Sequence, residues 1–513
     1  MRQFQKIASV LFLFAAISLH AAGKAAHVVV VVWDGMRPDF VTETTTPTLW
    51  KMAREGATFA NHHPVYISST EVNGTAIATG CHPEVSGIVA NREYRPDINA
   101  TNAVAIEELQ TVRKGDRLTD GHYIQAATVA ETLRANGRRT VVVGSKAVAL
   151  LQDRFERGSD STSIVVFEGQ SIPSAIASNL AELFGKFPDA TPTRTNRDIW
   201  NTSALIGPLW EKDVPAYSLL WLGEPDGSQH YTAPGSSLAL KAIKNSDDML
   251  ARVLAVLDKR NLRDKTDVIV VSDHGFSTIT DSIDLVGLLK TNGFPAFRHF
   301  PSPSPADGDI LVVGGPSALI YVTGHDHAVI ERITHFLQSQ PFCGVIFTKT
   351  PVPGAFPLDA AKVNSATAPD IMLSMRWTTQ TNNNNAPGRV GYDSAAKSSG
   401  NGTHGTLSRF DMHNICFASG PDFQPGVVDT LASGNVDIAP TVLWILGVEP
   451  KQPLSGRVLG EAMIGDAPKV DLFAPAHIEA SYKGDGFVWK QYLNYTKVNR
   501  TIYLDEGNGE QIP

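Results

Sequence analysis

From His27 onward the chain alternates between two hydrophobic rhythms. His27–Trp33 is an almost unbroken β-branched run, the pattern of a strand buried on both faces of a parallel sheet. Arg139–Val143, Tyr217–Leu222 and Val268–Val271 have the same character. Between the last two the period lengthens. Ile243, Leu250, Val253, Leu254 and Leu257 recur at helical spacing, with Asp247, Asp248, Arg252 and Lys259 interleaved, which predicts an amphipathic helix. Strand, helix and strand in succession imply a crossover and a parallel pair. The pattern therefore predicts an α/β fold: a largely parallel central sheet with helices on both faces, carrying inserted loops.

Other stretches are punctuation. Pro301–Gly308, with three prolines, predicts a loop or linker. Trp377–Gly402 is polar, with asparagine at every position from Asn382 to Asn385, and predicts a mobile loop that returns the chain towards His404. Asp437 opens a helical pattern with Pro440 in its first turn and Gly447 behind Leu446. Beyond about residue 465 the chain reads as an add-on, with Phe487–Tyr495 and Thr501–Leu504 spaced as a hairpin.

Composition narrows the partners. With 513 residues and 42% hydrophobic content there is ample material for a large core. A net charge of −8 argues against coating a nucleic-acid polymer, which needs basic surface. It leaves a small phosphorylated substrate open, because a bound cation dominates its local field. Arg2 and Lys6, the apolar stretch Ile7–Leu19 and the small pair Ala21–Ala22 have the layout of a secretory leader. That stretch is short for a membrane span, and no other is long enough. The expected organisation is a leader over 1–22, a main body over 27–465 and a C-terminal extension over 466–513 packed on it. The product would be secreted or periplasmic, with no transmembrane domain. Cys81, Cys343 and Cys416 allow at most one disulfide, so this is no disulfide scaffold.

Three separated segments place Asp and His where a divalent cation would take them. They are Glu224-Pro225-Asp226-Gly227-Ser228-Gln229-His230, Ser272-Asp273-His274-Gly275 and Gly402-Thr403-His404-Gly405. Asp34 closes the first strand run, and Thr70 follows in Ser68-Ser69-Thr70-Glu71-Val72-Asn73. Asp34, the Asp226–His230 segment and Asp273-His274 all trail predicted strands, and ligands of open α/β sheets gather at that edge. Oxygen and imidazole donors suit zinc, and two such ions can bracket the attacking and leaving oxygens of an in-line displacement. A threonine hydroxyl is a weak nucleophile that needs a base or a metal. Taken singly, Thr70 reads first as a helix cap, Asp273-His274-Gly275 as a strand end and His404 as a turn residue. Their joint occurrence points to two-metal phosphoryl transfer. His62-His63 and His325-Asp326-His327 lack a matching carboxylate set and read as surface or loop histidines.

In this order the motifs resemble the alkaline phosphatase superfamily, and most closely its nucleotide pyrophosphatase/phosphodiesterase family, from about His27 to Pro450. The resemblance implies an alkaline-phosphatase-like catalytic body and two Zn2+ ions. Asp226, His230 and His404 would hold one ion. Asp34, Asp273 and His274 would hold the other, with Thr70 as metal-activated covalent nucleophile. Asn91 matches the family's donor to a phosphate oxygen; without the resemblance it reads as a turn former. Asn73 matches the asparagine of the family's Thr-Phe-Pro-Asn segment, but Glu71 and Val72 replace Phe and Pro. Monoesterase relatives carry a Lys-x-Arg pair; here Lys146 is followed by Val148 at the arginine position. A diester carries less charge on its reacting group, so the expectation is a phosphodiesterase or nucleotide pyrophosphatase. The alternatives are a phosphomonoesterase of the same superfamily and a secreted metal- or phosphate-binding protein without turnover. Cys81-His82-Pro83-Glu84-Val85 has the outline of the sulfatase Cys-x-Pro-x-Arg signature, but Val85 stands for the arginine, and Cys81 reads as structural.

Overall fold

The computed structural model describes residues 23–156, 158, 162–189, 192–394 and 399–513. The expected leader over 1–22 lies outside the described residues. Nine strands form the central sheet: β1 (His27–Trp33), β2 (Ala57–Phe59), β3 (Thr140–Gly144), β4 (Ile164–Phe167), β5 (Gln170–Ile172), β6 (Tyr217–Leu222), β7 (Thr266–Val271), β8 (Cys416–Ser419) and β9 (Val427–Asp429). Their order across the sheet is β9-β2-β8-β7-β1-β6-β3-β4-β5. The central block β7-β1-β6-β3-β4 is parallel throughout, while β8 runs antiparallel to both β7 and β2. The sheet is therefore mixed but mostly parallel.

The β-branched run of β1 is explained by two cores. Val28, Val30 and Val32 face one side, with Ile77, Leu133 and Leu150. Val29, Val31 and Trp33 face the other, with Met52, Ile243, Leu250 and Val253. Helices thus cover both faces. The long helix Ser237–Lys259 buries Ile243, Leu250, Val253 and Leu257, and Ser236 caps it by accepting from the Ala239 N–H at 3.1 Å.

A six-stranded sheet, running Ala296–Phe297, Ile310–Val313, Ser317–Val322, Ile371–Met375, Cys343–Thr348 and Phe356–Pro357, adjoins this body. The C-terminal strands Phe473–Gly484, Phe487–Val498 and Thr501–Ile512 form an antiparallel sheet of their own. Gln491 clasps the backbone of Ile346 from both sides: its Oε1 accepts from N–H at 2.8 Å and its Nε2 donates to O at 3.1 Å. A Cβ on Gly509 would stand 2.0 Å from the Gly344 carbonyl oxygen, so a glycine is needed where these backbones meet. Among the described residues no helix is long and apolar enough to cross a membrane.

Two expectations need correction. Trp377–Gly402 is not simply a loop. Trp377–Thr381 and Pro387–Asp393 pair as an antiparallel hairpin, with Asn382–Asn385 at its turn; residues 395–398 lie outside the described residues. Residues 378–381 are exposed at every position, so their strand carries polar side chains and lacks an apolar run. His62 and His63 are not surface residues. Both are buried in a short strand that pairs with Ser433–Gly434, and His62 sits between Ser433 Oγ at 2.9 Å and Asn435 Oδ1 at 3.1 Å.

Candidate active site

Asp34 directly follows β1. Gly35 then turns at φ +72°, where a Cβ would lie 2.9 Å from the Phe276 ring, so glycine alone fits without strain. Its N–H donates to Asp273 Oδ1 at 2.9 Å, and Trp221 Nε1 donates to Asp34 Oδ2 at 2.7 Å. Thr70 is the first residue of helix α1 (Thr70–Thr79) and is 2% exposed. After β6 the chain enters helix α2 (Asp226–Thr232), which sets Asp226 and His230 one turn apart on one face. Asp273 and His274 follow β7. His404 leaves the short strand Gly402–Thr403, which pairs with Ser277 and Thr278.

All seven of these residues converge. Donor atoms of Asp226, His230 and His404 lie within 4.8 Å of one another, and so do those of Asp34, Asp273 and His274. The His274 and His404 rings stack at 3.5 Å, and Thr70 Oγ1 lies 3.2 Å from His274 Nε2.

The imidazoles are oriented by backbone carbonyls. Nδ1 of His230 faces Gly402 O at 3.0 Å, that of His274 faces Gly275 O at 2.9 Å, and that of His404 faces Ser68 O at 2.9 Å. A carbonyl only accepts, so each Nδ1 carries the proton and each Nε2 presents a lone pair. Those lone pairs point at carboxylate oxygens. Asp226 Oδ1 is 3.1 Å from His230 Nε2 and 3.5 Å from His404 Nε2. Asp273 Oδ2 is 3.2 Å, and Asp34 Oδ1 3.7 Å, from His274 Nε2. All three oxygens are buried without a hydrogen-bond partner. Acceptors facing acceptors away from water are costly, and a cation between them removes the conflict. The nitrogen and oxygen donor set fits zinc.

Electrostatics agree. Burial pushes Asp273 well above the usual carboxylate range, with Asp34 adding to it, and raises Asp34 against the pull of Lys146. Burial would raise Asp226 too, but Lys146 pulls the other way and that carboxyl lies well below its usual range. Burial lowers His274 to about 3 and His404 well below its ordinary value, leaving both neutral, as metal ligands must be.

One cation borders the hydroxyl and a second stands behind it. Lys146 follows β3; its Nζ donates to Thr70 Oγ1 at 3.2 Å and Asp226 Oδ2 at 3.0 Å and lies 2.9 Å from Asp34 Oδ2. Burial opposes its charge, yet Asp226 and Asp34 prevail and raise it. Arg194 Nη1 donates to the same Asp226 oxygen at 3.1 Å. Sequence reasoning missed Arg194, which lies just before helix Thr195–Ala204 in a stretch without motif or apolar period. Asn91 is half-buried, and its Oδ1 accepts from the Glu71 N–H at 3.1 Å, which brings the carboxamide beside Thr70. Asn73 braces the approach to α1: its side chain accepts from Val65 N–H and donates to the carbonyls of Val65, Ile67 and Ser69. Glu71 is buried, and burial and Glu107 raise its carboxyl well above normal.

A family model described as type I phosphodiesterase / nucleotide pyrophosphatase matches residues 28–407. The Mus musculus bis(5'-adenosyl)-triphosphatase enpp4 is 23% identical over 434 residues, which cover 83% of this chain and 78% of that protein. Homo sapiens ectonucleotide pyrophosphatase/phosphodiesterase family member 7 is 24% identical, with 85% and 83% covered. Homo sapiens family member 1 is 25% identical over 81% of this chain but only 39% of its own length, so the match spans about two fifths of that longer protein. The solved structure of murine ectonucleotide pyrophosphatase / phosphodiesterase 5 superposes with a TM-score of 0.62 at 18% identity, covering 85% of this chain and all of that one. An inactive variant of the same murine protein, in complex with AMP, superposes with a TM-score of 0.61 over 85% of this chain and 99% of that one. At this identity the likeness establishes the fold.

Proposed function

This chain belongs to the type I phosphodiesterase / nucleotide pyrophosphatase family, whose relatives are phosphoric ester hydrolases, and on that premise we propose that it cleaves phosphodiester or pyrophosphate bonds of small substrates through a covalent Thr70 intermediate. Asp226, His230 and His404 would hold one zinc ion; Asp34, Asp273 and His274, with Thr70, would hold the other. Bound there, the ions supply Lewis acidity to the attacking and leaving oxygens. The observation that carries the reading is the set of three Nε2 lone pairs aimed at partnerless carboxylate oxygens beside one buried hydroxyl.

The chain's own residues account for the rest. Thr70 Oγ1 attacks phosphorus; an Oγ1–P bond forms as the P–O bond to the leaving group breaks. Water then hydrolyses the phosphorylated or nucleotidylated Thr70. Lys146 Nζ beside Oγ1 favours the deprotonated hydroxyl. The start of α1 offers a positive dipole end to an anion. Asn91 has its oxygen held by Glu71 N–H, which leaves its Nδ2 group to donate to a non-bridging phosphate oxygen. Thr70→Ala should lower turnover of bis-p-nitrophenyl phosphate by on the order of 10³-fold or more while metal content stays unchanged; retained turnover would rule out the covalent role.

A second reading, phosphomonoester hydrolysis, is favoured by one observation: Arg194 shares Asp226 Oδ2 with Lys146. It would supply the second cation that Val148 lacks. Rates on p-nitrophenyl phosphate and bis-p-nitrophenyl phosphate separate the two. We further propose that residues 27–465 form the catalytic body, 466–513 its extension, and that removal of 1–22 yields a secreted or periplasmic enzyme. N-terminal sequencing of exported protein tests that removal; a start at Met1 would contradict it.

A further inference from the structure

We propose that His63, His413 and Asp505 form an additional divalent-cation site, separate from the two clusters around Thr70, which fastens the C-terminal sheet to the segment carrying His404. The three residues come from distant parts of the chain, yet their donor atoms lie within 4.8 Å of one another. His63 is buried, and its Nδ1 faces the Met412 carbonyl at 3.1 Å. As with the three histidines near Thr70, this puts the proton on Nδ1 and leaves Nε2 as a lone pair. The His413 ring meets the His63 ring edge-on, with centroids 4.5 Å apart, and its Nε2 lies 2.6 Å from Asp505 Oδ1.

Asp505 is there because of a bulge. In the last pair of strands Asn494 pairs with Glu506 and Tyr495 with Leu504, so Asp505 is the extra residue. A bulge re-aims the side chain it carries, and this one is delivered to His413. An ion pair between Asp505 and His413 alone would not account for the His63 lone pair placed in the same cluster. Two imidazole nitrogens and one carboxylate oxygen suit zinc or a similar borderline cation, and three protein ligands leave a position open. The cluster borders a cavity of about 580 Å³ lined also by Arg37, Asp39, Asn61, Arg409 and Glu506, which gives the ion a route in.

The test uses the full chain, stripped with chelator, reloaded with Zn2+ alone, desalted and assayed for metal by mass spectrometry. Wild type should hold one more zinc per chain than Asp505→Asn, and one more than His413→Asn. Zinc should raise the wild-type melting temperature more than that of either variant, while diesterase rates in saturating zinc stay within about twofold of wild type, as expected for residues that touch no reacting atom. The difference in count reads this site. The zinc remaining in the variants reads the catalytic clusters, so either proposal can fail without the other. A variant that melts as a folded protein and holds as much zinc as wild type overturns the site. Should one variant fail to fold, the other gives the same comparison; should both fail, Zn2+ titration of Asp226→Asn/Asp273→Asn must still show one retained zinc, and none retained overturns the site.

Discussion

Lys146 and Arg194 meet at one oxygen of Asp226, and their division of labour determines which esters the site prefers. Lys146 touches Thr70 Oγ1 directly, whereas Arg194 stands one carboxylate further out. A doubly charged terminal phosphate gains from that second cation, and a diester gains less. Arg194→Gln should therefore lower kcat/KM for p-nitrophenyl phosphate by about tenfold or more and that for bis-p-nitrophenyl phosphate by less than about threefold, the loss of one charge-assisted hydrogen bond. Equal losses on both esters would assign Arg194 to holding Asp226 in place. Asp34, Asp226, Asp273 and His274 were legible because each trails a run of apolar residues, where the edge of a parallel sheet collects ligands. Arg194 was not, because its segment has no period and its partner is far away in sequence. His63 was misread for the opposite reason: burial of a histidine depends on what packs over it, here strands hundreds of residues away.

Helix α1 places Thr70 by lying close against Ala147–Gln152, the turn that follows Lys146. Gly74 permits this approach: a Cβ there would lie 2.4 Å from Val148 Cγ2 and 3.2 Å from the Trp221 ring, and Gln152 Nε2 donates to the Gly74 carbonyl at 2.8 Å. In an open helix Gly→Ala gains about 1 kcal/mol, but overpacking a tight core costs roughly 1–3 kcal/mol. With Val148 fully buried, the second effect wins. Gly74→Ala should lower stability by about 1–2 kcal/mol, read from the urea midpoint, and should reduce kcat because Lys146 and Thr70 move apart. An unchanged or raised midpoint would refute the close approach. The predicted central strands stand where the apolar runs place them, since a strand buried on both faces leaves an unambiguous trace. The Trp377–Asp393 hairpin left none, because its exposed positions are polar.

The C-terminal sheet and the body are joined through buried neutral groups. His82, three residues past the end of α1, donates from Nε2 to the Ile502 carbonyl at 3.0 Å, and burial lowers its pKa from 6.5 to about 4. The folded chain thus binds fewer protons at this residue than the unfolded chain between those values, so its contribution to stability is full above about pH 6.5 and is lost as pH falls towards 4. Buried carboxyls such as Asp411, raised by burial to about 6, act in the opposite sense, so the clean measurement is a difference. His82→Gln should cost about 2 kcal/mol less at pH 5 than at pH 7 by urea denaturation. A cost independent of pH would mean that the buried ring is not what resists protonation. How the C-terminal sheet seats on the body was not legible, because contacts such as Gln491 with Ile346 are long-range and carry no local pattern.

The central claim is that six carboxylates and imidazoles enclose divalent cations beside one nucleophilic hydroxyl. Anomalous X-ray scattering at the zinc edge, from crystals of zinc-loaded protein, tests it most directly. The prediction is a peak about 2 Å from the facing atoms of Asp226, His230 and His404, and another at the same distance from Asp34, Asp273 and His274, with Thr70 Oγ1 alongside. Zinc-loaded crystals with no anomalous density at either cluster would contradict it.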